Sequence, residues 1–362
     1  MRDAAAPPTG VIRTVTGDRP AGDFAAVMVH EHLLYDIAPP GAPACGAGSA
    51  ITPQNRWQID YRSNENPANA RQQDWRVAAG ELAAFRRDGG DLIVDQTVIG
   101  LKRDPRGLRD AARAASCAVV AATGTYTAPY LDAATRAADT DTLAARFVAE
   151  IRDGIDGSGI RAGLIGEIGC SWPLEAVERR ALQAAAQAAR VTGAGISVHP
   201  GRDARAPFEI VDILGGSGAD LSRVALCHMD RTYPEGRDIG GLGPSALAQT
   251  GVMVEWDFFG IETSHYWMDP EVELPTDRGR LRAIRRLIDA GLGAHILVSQ
   301  DICTRTRTRA FGGHGYGHLL RNVVPLMHRL GFCAPEVFDL IRFNPLRLLA
   351  LPQAAPAPEF AP

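Results

Sequence analysis

The run VMVHEHLL places His30 and His32 one residue apart at the end of an apolar stretch. In a strand, side chains alternate with period two, so both imidazoles face the same side. Two protonated imidazoles on one face repel, whereas two neutral ones can share a cation. If His32 already lies in a loop, only one histidine points inward, and His-x-His alone leaves both readings open. Similar residues close other apolar runs: Glu167 in RAGLIGE, His199 in GISVH, His228 in RVALCH and Asp301 in HILVSQD. Each alone has an ordinary explanation, as a satisfied polar residue or a helix cap. As a set at equivalent positions they predict a metal site.

Eight short apolar runs would position these residues: 25–30, 91–96, 117–123, 161–167, 195–199, 223–228, 252–257 and 295–301. They are nearly continuous in apolar character, as parallel strands covered on both faces are. Most are followed by a helical pattern. In LEAVERRALQAAAQAARVTG, Leu174, Val177, Leu182, Ala185 and Val191 form a stripe, with Pro173 near the start and Gly193 near the end. In RGRLRAIRRLIDAGLG, Leu281, Ile284, Leu287 and Ile288 share a face and Gly291 closes it. Eight strand–helix repeats predict an α/β fold of the (β/α)8 TIM-barrel type, metal-dependent hydrolases being one class that uses it. With no linker in view, residues 1–362 read as a single domain carrying long loop insertions at the C-terminal face. The largest, about 38–72, is rich in Pro, Gly, Asn and Arg, shows no clear period, and would hang over the catalytic mouth. A second connection, roughly 258–277, carries Phe258, Phe259, His265, Tyr266 and Trp267, expected as pocket wall.

Composition narrows the class. The chain has 362 residues, 46% hydrophobic, with a net charge of −4. That is ample for a core and gives no reason to expect a polyanion, so no nucleic-acid partner is expected. The opening residues lack an apolar core of signal-peptide length and no segment reads as a bilayer span, so a cytoplasmic protein without a membrane partner is expected. Cys45, Cys117, Cys170, Cys227, Cys303 and Cys333 show no CxxC spacing and read as reduced thiols; Cys170, Cys227 and Cys303 lie beside candidate ligands and read as small buried residues at strand ends. Lys102 is the only lysine, the other basic residues being arginine.

The ordered series VHEHLL, VDQTVIGLKRDP, GLIGEIGCSWP, SVHPGR, CHMDRT, GVMVEWDFFG and SQDICTRTRTRAFGGHGYGH resembles the amidohydrolase superfamily, and within it the phosphotriesterase-related proteins. The likeness runs from about Gly10 to FNPLRLLAL at 343–351. It implies a binuclear centre: His30 and His32 on a buried α-metal with Asp301, His199 and His228 on a more exposed β-metal. Organophosphate-hydrolysing members bridge the two with a carboxylated lysine on strand four. Here that position is Glu167 and no lysine lies near it, so glutamate is the expected bridge. Being shorter, it requires strand four to approach the metals more closely, which Gly166 and Gly169 would permit.

Two divalent metal ions, zinc first and manganese or cobalt in the same geometry, would share a water and lower its pKa. The expected reaction is attack of that bridging hydroxide on a small carbonyl substrate (amide, lactone or ester), phosphotriesters being at most secondary. Asp301 is the expected catalytic proton acceptor. Arg305, Arg307 and Arg309 alternate in ICTRTRTRAF; if extended, they share a face and would hold an anion, a solvated loop being the alternative. Arg305, Arg307, Tyr266 and Trp267 are thus candidate substrate contacts. His314 and His318 read as structural or pocket-lining, and His265 and His295 as ordinary surface or loop residues. Asp230, Glu255 and Asp257 are candidates for orienting a ligand from behind, with helix capping an equal explanation for Asp230. Two rivals stand beside this reading. A mononuclear deaminase would need a glutamate soon after the strand-five histidine, where Pro200, Gly201 and Arg202 follow instead. A non-catalytic small-ligand-binding protein would keep the pocket without turnover. Many barrel hydrolases of this type are homodimers, and no interface is legible in the residues.

Overall fold

A computed structural model describes residues 9–46, 50–63 and 65–352. All eight expected strands form, slightly shorter than their apolar runs: β1 Val27–Glu31, β2 Leu92–Asp95, β3 Ala118–Thr123, β4 Leu164–Gly169, β5 Ile196–His199, β6 Val224–Leu226, β7 Met253–Trp256 and β8 Ile296–Val298. They lie in one sheet in sequential order, each neighbouring pair parallel. Structural relatives described below share this TIM-barrel architecture.

Two apolar layers hold the sheet. Val27, Val29, Leu92, Val94, Val120, Leu164, Ala225, Met253 and Leu297 pack together inside the barrel with Ile12, Phe24, Leu346 and Leu348 beneath them. Met28, Ile93, Val119, Ile165, Val198, Val254 and Ile296 pack outward against the helices. The floor is sealed where the N-terminal hairpin (Val11–Thr14 with Gly17–Pro20) meets the chain's far end, Val11 and Leu351 exchanging backbone hydrogen bonds of 3.1 and 2.9 Å.

The helix expected after β4 spans Ala176–Thr192, and Gly193 ends it in the left-handed conformation at φ 73°. Ala181, Leu182, Ala184, Ala185 and Ala188 are its buried face; full burial of one such Leu contributes about 1.5–3 kcal/mol. Val191, expected in the stripe, is 55% exposed in the last turn of the helix. The helix Asp277–Asp289 buries Leu281, Ile284, Leu287 and Ile288 as expected.

Near the mouth, two strands depart from simple alternation. Register shifts occur between Met28 and Glu31 on β1 and between Ile165 and Ile168 on β4. On β1, Val29 points inward and so does the next residue, His30; on β4, Ile168 joins the outer layer although Leu164, four before it, is inside. Each shift is a local irregularity that re-aims side chains. Together they turn His30 and Glu167 to the barrel interior. Gly166, at φ 125°, has no room for a side chain, since a Cβ there would lie 2.1 Å from the Ser197 carbonyl oxygen. A Cβ on Gly169 would meet the Thr127 nitrogen at 2.3 Å. Both glycines thus allow β4 to approach its neighbours closely.

Between β1 and β8 at the mouth, a backbone hydrogen bond and several side-chain bonds make the connection. The Asp301 N–H donates to the His30 carbonyl at 3.1 Å and the His30 N–H to Ser299 Oγ at 3.0 Å. Buried Glu31 accepts from Ser299 Oγ, the Gln300 N–H and the Ile302 N–H at 2.9–3.0 Å. Burial pushes its carboxyl up to about 7 against these hydrogen bonds.

The 38–72 insertion is more ordered than its missing period suggested. It contains a helix at Arg56–Tyr61 and a short strand at Arg71–Gln72 paired with Tyr35–Asp36, residues 47–49 and 64 lying outside the described part.

Candidate metal centre

The six candidate ligands converge at the top of the barrel. His32 Nε2 lies 3.3 Å from Asp301 Oδ1 and 3.4 Å from Glu167 Oε1. His30 Nε2 lies 3.6 Å from Glu167 Oε2 and 3.7 Å from Asp301 Oδ1. On the other side, Glu167 Oε2 is 3.0 Å from His199 Nδ1 and 3.5 Å from His228 Nε2, and those two nitrogens are 2.9 Å apart. Donors about 2.1 Å from a shared tetrahedral ion stand about 3.4 Å from one another. The first group has that spacing, and the second is slightly tighter. Glu167 touches both, one oxygen facing His32 and the other reaching His30, His199 and His228. Both ring nitrogens of buried His30 lack a hydrogen-bond partner, and Nε2 is the one that faces Glu167 and Asp301, as fits an atom available to a cation. The donor set therefore suits divalent cations, imidazole and carboxylate being ligands that zinc accepts.

The elements deliver these groups in different ways. Glu167 and His199 lie within strands, but His32, His228 and Asp301 stand just beyond β1, β6 and β8. His228 and Asp301 hold left-handed backbone at φ 61° and 45°, a conformation that costs a non-glycine residue energy and concentrates at functional sites. His30 and His32 face the same carboxylates, as period two implies, although the strand ends between them.

Outer partners fix the imidazoles. His32 Nδ1 is 3.0 Å from Thr97 Oγ1. Asp257 Oδ1 lies 2.9 Å from His228 Nδ1, and its Oδ2 is 3.2 Å from His30 Nδ1. Glu255 Oε2 stands 3.7 Å from the same His30 nitrogen and within 3.4 Å of the Cys227 thiol. Asp257 thus hydrogen-bonds the His228 imidazole and stands beside that of His30. Asp230 does not face a histidine: it accepts from the Asp257 N–H at 2.9 Å and pairs with fully buried Arg280. It holds the backbone that carries Asp257, so neither direct orientation of a ligand nor helix capping describes it.

Charge is balanced within the cluster. Burial opposes ionisation of Glu167, yet His199, His228 and His32 hold its carboxyl well below the usual range. Burial likewise opposes a proton on His32, but Asp301 and Glu167 overcome it and push the imidazole up to about 10. His199 faces the same glutamate with the opposite outcome. Burial, with repulsion from His228 and Arg231, brings it down to about 3 and keeps it neutral, the state a cation needs.

Above the cluster opens a cavity of about 290 Å3. Its wall includes Arg56, Trp57 and Tyr61 from the insertion and Phe258, His265, Tyr266 and Trp267 from the connection after β7. Residues of the insertion thus form part of the cavity wall. Phe259 does not line it; its ring is fully buried in the outer core. His265, expected to be an ordinary loop residue, belongs to the wall and stacks on Tyr61 with ring centres 4.1 Å apart. His314 also lines the cavity, and His318 is structural, its Nε2 2.6 Å from Asp277. His295 caps nothing at the site and contacts the Val252 carbonyl.

The arginine loop corrects the sequence reading. It is not extended: Arg305–Arg307 and Arg309–Phe311 form 3-10 turns, so alternate residues do not share a face. Arg305 is absent from the cavity wall, directed instead to Gln72 and over the Phe311 ring. Arg309 pairs with Asp88 on the outside. Only Arg307 of the three lines the cavity, its guanidinium donating to the carbonyls of Asp301 and Gln300. Arg202 in SVHPGR and Arg231 in CHMDRT also line it. Sequence reasoning passed over both, although each sits three residues after a candidate ligand, which was the available signal.

Comparison with known proteins places this geometry. The model of the phosphotriesterase family matches residues 10–349. The chain is 35% identical to the N-acetyltaurine hydrolase of Homo sapiens over 94% of its own length and 98% of that protein. It is 39% identical to the N-acetyltaurine hydrolase of Dictyostelium discoideum over 82% and 79%. Among solved structures, a resiniferatoxin-binding protein from Rhodobacter sphaeroides superposes with a TM-score of 0.86 at 30% identity, covering 94% of this chain and 95% of that one.

Proposed function

The chain belongs to the phosphotriesterase family, and from that premise we propose that it is a binuclear metal-dependent hydrolase of small N-acyl amides. His30, His32 and Asp301 would hold one divalent cation, His199 and His228 the other, with Glu167 reaching both and zinc as the preferred ion. The observation that carries the reading is the position of Glu167, whose two oxygens lie within 3.0–3.6 Å of all four imidazoles. Such cations supply Lewis acidity and an ionised water at neutral pH.

The protein's own groups account for the remaining work. Asp301 faces the cavity, and its carboxylate is held ionised by His32 and His30 against the cost of burial. It is therefore placed to accept a proton at Oδ1 or Oδ2 and return it to the leaving amine. Thr97 and Asp257 hold the imidazoles in fixed orientation, and the aromatic wall excludes water from the acyl group. The amide class is favoured over lactones and phosphotriesters by relatives that are named for hydrolysing N-acetyltaurine and are matched over nearly their whole length. A binding-only role is the second reading, favoured by the bacterial neighbour named for binding resiniferatoxin.

The test is turnover by the zinc-loaded protein of N-acetyltaurine beside a γ-lactone and a chromogenic phosphotriester. Hydrolysis of the amide at the highest kcat/KM is expected. No turnover of any of the three, with retained binding, would favour the second reading.

A further inference from the structure

Four arginines line the cavity; Arg56 pairs with Asp60, whereas among the described residues no carboxylate forms an ion pair with Arg202, Arg231 or Arg307. Arg231 is 4% exposed. One of its terminal nitrogens, Nη1, is buried with no hydrogen-bond partner; the other donates to the Pro200 carbonyl at 2.7 Å and lies 3.2 Å from His199 Nε2. His199 turns Nδ1 toward Glu167, so an imidazole binding a cation through Nδ1 carries its proton on Nε2 and accepts nothing from Arg231. Arg202 donates to Tyr266 Oη at 3.1 Å and contacts Met268 Sδ at 3.4 Å. Asp269 attracts it only from beyond ion-pair reach, and Arg202 and Arg231 repel each other. Arg307 stands apart, on the Asp301 side, with backbone carbonyls as acceptors.

A buried guanidinium with an unused donor is costly unless a ligand completes it. Arg231 is such a group, and with the more exposed Arg202 beside it on the His199 side it forms a site for an oxyanion. Resting on the amide-hydrolase reading above, we propose that Arg231 and Arg202 bind a terminal anionic group, such as a sulfonate, on the amine portion of the substrate. The substrate class is then N-acyl amines ending in a small oxyanion, and neutral N-acyl amines are discriminated against. The discrimination comes from the arginines that follow the strand-five and strand-six histidines, and not from the loop after β8.

The experiment has two arms. In the first, kcat/KM for N-acetyltaurine is divided by that for N-acetylethanolamine, which is alike but ends in a neutral hydroxyl. The wild-type ratio should exceed about tenfold, and Arg202→Gln should reduce it by at least about tenfold. In the second, calorimetry compares the binding of taurine with that of ethanolamine to the zinc-loaded wild type, Arg202→Gln and Arg231→Lys. Taurine should bind more tightly to the wild type and lose at least about tenfold in Arg202→Gln. Arg202 lies at the exposed rim, so this variant stays informative if Arg231→Lys fails to fold. An unchanged ratio in Arg202→Gln, or equal taurine affinity in wild type and variant, overturns the subsite while leaving the hydrolase intact. If the wild type cleaves neither amide, the hydrolase reading fails and the calorimetric arm alone decides. Taurine binding that weakens in Arg202→Gln then supports the anion site, and no taurine binding by the wild type overturns it.

Discussion

Asp257 and His228 are joined twice. Asp257 Oδ1 lies 2.9 Å from the imidazole Nδ1, while Oδ2 accepts the His228 backbone N–H at 2.9 Å. The second bond anchors a residue whose backbone is left-handed. One carboxylate thereby sets both the ring direction and the main-chain position of a candidate ligand, and through Oδ2 it also faces His30.

Asp257→Asn keeps the size but removes the charge and half the acceptor capacity. Outer partners of metal ligands typically contribute about 10–100-fold in metal affinity. Zinc affinity measured by chelator competition should fall within that range, with little change in the circular dichroism of the protein. Unaltered affinity would show that Asp257 does not position the imidazoles.

Gly166 holds β4 against β5. Alanine there meets the Ser197 carbonyl oxygen at 2.1 Å in a backbone conformation that disfavours a side chain. Overpacking and backbone strain each contribute roughly 1–3 kcal/mol. Urea unfolding of the metal-free protein should show Gly166→Ala destabilised by about 2–4 kcal/mol. A loss below about 0.5 kcal/mol would mean that the close approach of β4 is not required.

Asp301→Asn leaves five of the six candidate ligands and removes the proton acceptor. Metal content should remain largely intact while kcat for amide hydrolysis falls by about 100-fold or more. Unchanged turnover would end the assignment of Asp301 to proton transfer.

Much of this site was legible in the sequence because strand ends in a barrel converge by construction. Once eight apolar runs are counted, His30, Glu167, His199, His228 and Asp301 must come to one rim. The irregularities could not be read. Period-two alternation puts Val29 and His30 on opposite faces, and only the register shift at Met28–Glu31 brings both inside. The arginines show a similar limit. Alternation in TRTRTR suggested an extended strand, but two consecutive 3-10 turns scatter Arg305, Arg307 and Arg309 to three environments. Arg202 and Arg231 offered only their spacing from His199 and His228 as a signal, and their unpaired state among the described residues appears only in the structure. Likewise, helix Arg56–Tyr61 is too short to leave a period in the insertion, yet it supplies Trp57 and Tyr61 to the cavity wall.

The most direct test of the central claim is the number of divalent ions bound per chain, in the wild type and in Glu167→Ala. After zinc loading and removal of excess ion, elemental analysis should find about two per wild-type chain. The variant should retain one or fewer, because both halves of the centre share that carboxylate. A wild-type value of one would contradict the binuclear centre and return the mononuclear deaminase to contention. Two ions retained in Glu167→Ala would contradict the bridge.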